Sequence, residues 1–357
     1  MTSPLLKRPG AVEGAGIDAG VAAHYGDPSG EQRRLLGGQA LADLSHFGVV
    51  TVSGEDRLSW LNSLSSQLLL GLEPGVAVQT LLLSVQGRIE HDLRLVDDGQ
   101  TSWLIVEPGQ APSIAGWLDR MRFMLRVSVT DVSADYAVVA SCAPVPEFSG
   151  LTCWRDPWPG VVTGGYAYSA AEHPGVERPW YEYLVPRPEL ESATASMKLA
   201  GMMAVEALRI AAWRPRAGVD TDEKTIPHEL DLMRTAVHLD KGCYKGQETI
   251  ARVHNLGHPP RRLVFLHLDG SMHTLPAPGS EVRLGEKAVG RITSDALHFE
   301  AGPIALAVIK RNVDPAAGLS VVDGDEAYAA AQEMIVATDA GQVLGRQTGF
   351  LRGGPRR

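Results

Sequence analysis

A chain of 357 residues, 44% hydrophobic and 21% charged, has the length for two or three domains with buried cores and the make-up of an ordinary globular protein. Its net charge of −9 argues against a protein whose main work is gripping a phosphate backbone, so no direct nucleic-acid partner is expected. The 3 cysteines, Cys142, Cys153 and Cys243, are too few and too irregularly spaced for a disulfide framework or a Cys-x-x-Cys metal site.

Residues 1–34 carry Pro4, Pro9, Gly10, Gly14, Gly16, Gly20, Gly26, Pro28 and Gly30, a density of breakers that predicts a flexible N-terminal arm. There is no apolar h-region in it, and no later run approaches the ~20 apolar residues of a membrane span, so a cytoplasmic chain without an anchor is expected. Phe47 to Gly54 reads as a strand closed by glycine, and Glu55 to Leu64 as a helix because Leu58, Leu61 and Leu64 recur at its period. From Val76 to Glu107, Gln86-Gly87 and Asp97-Asp98-Gly99 divide three apolar runs, which predicts a three-stranded meander. A helix is expected over 111–125 and strands over 127–140, an order that suggests a ferredoxin-like α+β layer.

The proline- and glycine-rich stretch 143–180 reads as a connection, followed by a strand from Trp180 to Val185 and helices near 189–199 and 202–213. Beyond Arg262, short β-like runs separated by Gly and Pro predict a small all-β module, and the chain ends in a basic tail, Arg352 to Arg357. Asp220, Asp222 and Glu223 lack the remaining ligands and the glycine of a calcium loop and read as a solvated loop. His254 and His258 are four apart, but Gly257, Pro259 and Pro260 work against a helix that would pair them; no metal site is expected.

The most informative stretch is Lys241-Gly242-Cys243-Tyr244-Lys245-Gly246-Gln247-Glu248. It sets one thiol between two ammonium groups, just before what reads as a helix opening at Gln247, and all three effects favour the thiolate. A tight turn with Cys243 as a small buried hydrophobe accounts for the same spacing. Glu182 sits in the aromatic run Trp180-Tyr181-Glu182-Tyr183; an ionised carboxylate there can accept two parallel N–H bonds, or simply face solvent. Asp92, in Gln86-Gly87-Arg88-Ile89-Glu90-His91-Asp92-Leu93, reads by itself as an outward strand residue beside His91. Arg209 follows Glu206 by three residues on a helix, the spacing of a surface ion pair.

Lys-Gly-Cys-Tyr-x-Gly-Gln-Glu resembles the signature of the YgfZ family, folate-binding relatives of the glycine-cleavage T-protein (aminomethyltransferase), and the resemblance runs from about Leu41 to about Arg311. True T-proteins usually carry aspartate and phenylalanine where this chain has Cys243 and Tyr244, so the cysteine separates the two branches. The resemblance implies an α+β fold, a three-module T-protein-like cloverleaf with a C-terminal β-barrel around a central cavity. The modules are expected as the arm 1–34, a folate-binding aminomethyltransferase-like domain over 35–268, and a barrel with tail over 269–357.

The same resemblance implies tetrahydrofolate or a derivative as cofactor, with Glu182 on the pterin, Asp92 beside the reactive nitrogens and Arg209 toward the anionic tail. It implies Cys243 as the reactive group, with Lys241 beside it, and iron–sulfur client or assembly proteins as partners, reaching tRNA modification indirectly. An aminomethyltransferase that uses Asp92 is the alternative. After Arg209 the family usually continues with a glutamate, whereas here Ile210-Ala211-Ala212 follows.

Overall fold

The computed structural model describes residues 2–169, 173–271 and 274–342; the basic tail from Arg352 lies outside them. Two five-stranded sheets and a closed barrel make up the frame. In the first sheet the meander Ala77–Leu83, Ile89–Asp97 and Thr101–Val106 runs antiparallel in chain order and continues to Gly48–Ser53 and Ser128–Asp131. The helices Arg57–Leu64 and Ala111–Met121 belong to this module. Alternation explains the sheet's two faces: Leu93 and Leu95 pack into one core, while Asp92 and Arg94 point to the other side.

The second sheet orders Cys153–Arg155, Tyr181–Pro186, Tyr136–Ser141, Ala40–Asp43 and Lys198–Ala200, the last pair parallel. Its edge strand Cys153–Arg155 lies inside the stretch expected only to connect. Where a helix is expected near 189–199, the chain instead makes a short turn of helix, Leu190–Ala193, and then the strand Lys198–Ala200. The helix Met202–Ala211 follows and buries Ala204, Ala207, Leu208 and Ile210 between this sheet and the barrel.

Six strands close the barrel: Arg261–Leu268, Gly302–Lys310, Lys287–His298, Glu281–Leu284, Leu319–Asp323 and Glu326–Met334. Its first strand therefore lies ahead of the boundary expected at 269. The strand pairs with both Gly302–Lys310 and Glu326–Met334, so the barrel cannot close without it.

Within the stretch expected as a flexible arm, residues 2–34 are built into the fold. Their prolines and glycines make turns between short elements: Pro4–Lys7, the paired strands Val12–Glu13 and Ala22–His24, and the helix Pro28–Leu36, capped by Asp27 accepting from the Gly30 N–H at 3.0 Å. Leu5, Val21 and Leu35 are fully buried, and Glu31 accepts the Gly201 N–H at 2.9 Å. Burial against distant segments supplies the order that local propensity lacks.

Asp220 is likewise not solvated. It is fully buried and accepts from Arg209 Nη1 at 2.7 Å, the Arg216 N–H at 2.9 Å, and the hydroxyls of Thr293 at 2.5 Å and Ser294 at 2.6 Å, which ties the helix Met202–Ala211 to the barrel. Among the described residues no helix is long and apolar enough to cross a membrane, and no group of three or more His, Cys, Asp or Glu could hold a metal ion.

Candidate functional site

Where the two sheets face one another across the start of the helix Met202–Ala211, a pocket collects Asp92, Arg94, Arg178, Glu182, Arg209 and Arg214, with Phe47, Trp154 and Trp180 as apolar walls. Two strands deliver most of these groups by period-two alternation: Asp92 and Arg94 from Ile89–Asp97, and Glu182 from Tyr181–Pro186, with Arg178 and Trp180 leading in. Asp92 and Glu182, predicted separately, line the same pocket.

Glu182 is buried and already engaged. Arg94 Nη1 donates to its Oε1 at 3.0 Å and Oε2 at 3.2 Å, and Trp180 Nε1 donates to Oε1 at 2.9 Å. Burial raises the Glu182 pKa, against the opposing field of Arg94 and the Trp180 bond. Asp92 is held by Gln79, whose Nε2 donates to both its oxygens at 3.0 and 2.8 Å, while Gln79 Oε1 accepts from Thr235 Oγ1 at 2.6 Å. Burial raises the Asp92 pKa too, with Arg214 and Arg94 opposing. Two carboxylates whose pKa values burial pushes upward thus share one enclosure.

Arg209 does not offer a free cation. Its Nε donates to Glu206 Oε1 at 3.0 Å and Oε2 at 3.1 Å, its Nη2 to the same carboxylate, and its Nη1 to Asp220 and to the Arg214 carbonyl at 2.9 Å. Arg209 lines the pocket with its guanidinium held by these partners. Arg178 is differently placed: it is buried, its guanidinium lies 3.9 Å from the Trp180 ring centroid, and its side chain makes no ion pair or hydrogen bond among the described residues. Burial lowers its pKa. Arg214 Nε binds Asp156 Oδ2 at 3.0 Å, and its buried Nη1 has no hydrogen-bond partner among the described residues. Arg94, Arg178 and Arg214 were not among the sequence candidates. The alternation Arg178, Trp180, Glu182 was the available signal.

The second candidate region is the Cys243 loop. Gln247–Leu256 is helical, as expected, and Gly246 before it takes φ +87°, where a Cβ would come within 2.6 Å of the Ser84 carbonyl. The loop is thereby seated on the 84–87 turn of the meander. Cys243 is exposed, whereas Cys142 is buried and Cys153 half-buried. Lys241 is committed to backbone carbonyls. Its Nζ donates to the carbonyls of Asn62 and Ser65 at 2.6 Å and of Gln67 at 2.7 Å, satisfying the C-terminal end of the helix Arg57–Leu64. Burial pushes its pKa down to about 8. Lys245 pairs with Glu90 at 3.0 Å on the surface. Both cations that flank the cysteine in sequence are thus engaged elsewhere.

Residues 28–145 match the GCVT N-terminal domain. A putative chloroplastic transferase of Arabidopsis thaliana is 27% identical over 278 residues, covering 72% of this chain and 62% of its own length. An aminomethyltransferase of Nostoc sp. is 26% identical, covering 78% of this chain and 79% of its own. The mitochondrial iron-sulfur cluster assembly factor IBA57 homolog of Mycosarcoma maydis is 27% identical, covering 63% and 56%. The chain therefore spans less than two thirds of two of these relatives. The solved structure of the glycine cleavage system aminomethyltransferase T from Bartonella henselae superposes with a TM-score of 0.71 at 18% identity, covering 93% of this chain and 94% of its own, and so shares the three-module fold with its C-terminal barrel. Sequence motif, domain match and architecture agree in relating the chain to the YgfZ-like proteins and the glycine-cleavage T-proteins.

Proposed function

We propose that this protein binds tetrahydrofolate or a derivative in the pocket between the two sheets and supports iron–sulfur cluster assembly or repair through Cys243, with any effect on tRNA modification following from the enzymes it serves. The observation that carries the folate reading is the buried Glu182 carboxylate sharing an aromatic-walled pocket with Asp92 and with Arg178, whose guanidinium stacks on Trp180 and makes no ion pair or hydrogen bond among the described residues. These groups fit the ligand in kind. A pterin edge needs a carboxylate acceptor, its ring needs flat apolar walls, and an anionic tail needs a cation not already paired.

Support for the iron–sulfur reading is the assembly-factor relative together with an exposed cysteine on a braced loop. The relatives named as chloroplastic and mitochondrial leave a cytoplasmic location as part of this proposal. Calorimetry with 5-formyltetrahydrofolate tests the ligand. Glu182→Gln should weaken binding ten- to a hundredfold, because one charged acceptor bond of ~1.5–3 kcal/mol is lost. Equal affinity in a folded Glu182→Gln protein removes the carboxylate from the site.

Asp92 favours a second reading, an aminomethyltransferase, because its carboxylate faces the same pocket and the Nostoc relative is named for that activity. We expect no glycine-cleavage turnover when the chain is supplied with the other components of that system. Turnover that disappears in Asp92→Asn would reverse the order of the two readings.

A further inference from the structure

Arg94 already occupies the Glu182 carboxylate within the pocket. Its Nη1 bonds both oxygens of Glu182, its Nη2 donates to Glu107 at 2.7 Å, and its guanidinium carbon lies 4.7 Å from the Phe47 ring centroid and 5.8 Å from that of Trp154. A pterin's amino-pyrimidinone edge presents N–H donors on nitrogens joined through one carbon, the same flat arrangement as a guanidinium, and a pterin too would stack against aromatic walls. The remaining free space is about 40 Å³. That is enough for roughly three waters and well short of the ~150 Å³ cavity that takes a benzene ring.

We propose, resting on the folate-binding reading, that Arg94 is an internal stand-in for the pterin: its guanidinium closes the pocket on Glu182 and must leave that carboxylate before a reduced folate enters. Glu107 gives it a place to go. This carboxylate already accepts Arg94 Nη2, and Arg216 Nε holds its other oxygen at 2.8 Å, so Arg94 can release Glu182 and stay paired. Binding is then paid for by the fraction of molecules in which Arg94 has turned away, and the apparent affinity is reduced by that fraction.

Arg94→Lys tests this. Lysine keeps one positive charge but has a single nitrogen, so it cannot hold Glu107 and Glu182 together as Nη2 and Nη1 of Arg94 do. In calorimetry with 5-formyltetrahydrofolate, Arg94→Lys should bind about tenfold or more tighter than the wild type, and adding Glu182→Gln should abolish the gain. A folded Arg94→Lys protein that binds equally or more weakly overturns the proposal and makes Arg94 a scaffold for Glu182. The wild-type chain gives an independent reading by stopped flow. The observed association rate should level off with rising folate as release of Arg94 becomes limiting, and a rate linear to the highest concentration overturns the proposal. If wild type binds and Glu182→Gln weakens it, yet neither Arg94 signature is seen, only the stand-in fails. If neither wild type nor Arg94→Lys binds, the folate reading fails and takes the stand-in with it.

Discussion

Trp180 donates its indole N–H to Glu182, two residues further along the chain, at 2.9 Å, while the face of the same ring carries Arg178 at 3.9 Å. One aromatic side chain thus serves an anion at its edge and a cation on its face. Trp180→Phe keeps a ring and removes the N–H. We expect a loss of ~1.5–3 kcal/mol, the cost of a hydrogen bond to a charged group together with a smaller ring in a buried place. Urea denaturation followed by circular dichroism reads it, and an unchanged midpoint would show that the N–H contributes nothing.

Lys241 is expected to act on stability first. Lys241→Met preserves length and apolar contact but leaves the buried carbonyls of Asn62, Ser65 and Gln67 without their donor, at ~2–4 kcal/mol. The variant should therefore unfold earlier in urea. Its Cys243 alkylation rate in the native state separates this from a direct influence on the thiol, and should stay within about twofold of the wild type if the ammonium is committed to the carbonyls.

The three thiols should differ sharply in reactivity. Burial pushes both Cys142 and Cys153 up to about 11, so at pH 7.5 each carries less than about one thiolate in a thousand, and access adds a further barrier. Iodoacetamide at that pH should label exposed Cys243 and leave the other two until the protein unfolds; peptide mapping after a timed quench decides it. Labelling of Cys142 at a rate comparable with Cys243 would contradict the arrangement described.

Asp18 links the N-terminal segment to the pocket frame, meeting Arg216 Nη2 at 2.8 Å and His46 Nε2 at 3.0 Å. Burial raises its pKa, but the bonds from His46 and Arg216 outweigh that and bring it from 3.8 to about 2. A carboxylate depressed in the fold stabilises above its unfolded value, here by ~2 kcal/mol, and that contribution fades as pH drops from about 4 through about 2. Asp18→Asn should therefore be less stable than wild type at pH 7, with the gap closing over that window in parallel urea titrations.

Much of the frame was readable because it is local. The meander announced itself through Gln86-Gly87 and Asp97-Asp98-Gly99 between apolar runs, and all three strands stand in that order. Gly246 and the helix after it were equally visible. What escaped depends on partners far away in the chain. Asp220 looked solvated because nothing nearby hints that Thr293 and Ser294 will cover it, and residues 1–34 looked loose because Leu5 and Val21 find their cores only after folding. In the pocket, Glu182 and Asp92 could be chosen by type and motif, whereas the pairing of Arg94 with Glu182, 88 residues apart, could not. Arg209 was legible only in part: its local partner Glu206 was obvious, and its second one, Asp220, was not.

The ion-pair chain from Asp18 through Arg216, Glu107 and Arg94 to Glu182 also sets an order of events at birth. Asp18 and Arg216 are 198 residues apart. A ribosome adding ~5–20 residues per second therefore leaves Asp18 waiting on the order of ten to forty seconds for its partner to emerge. During that time the acids Asp18 and Glu107 are already made and the arginine that neutralises both is not. Until then Glu107 has only Arg94 of its two arginines, at 2.7 Å, and the pocket closes only after the helix Met202–Ala211 has been delivered.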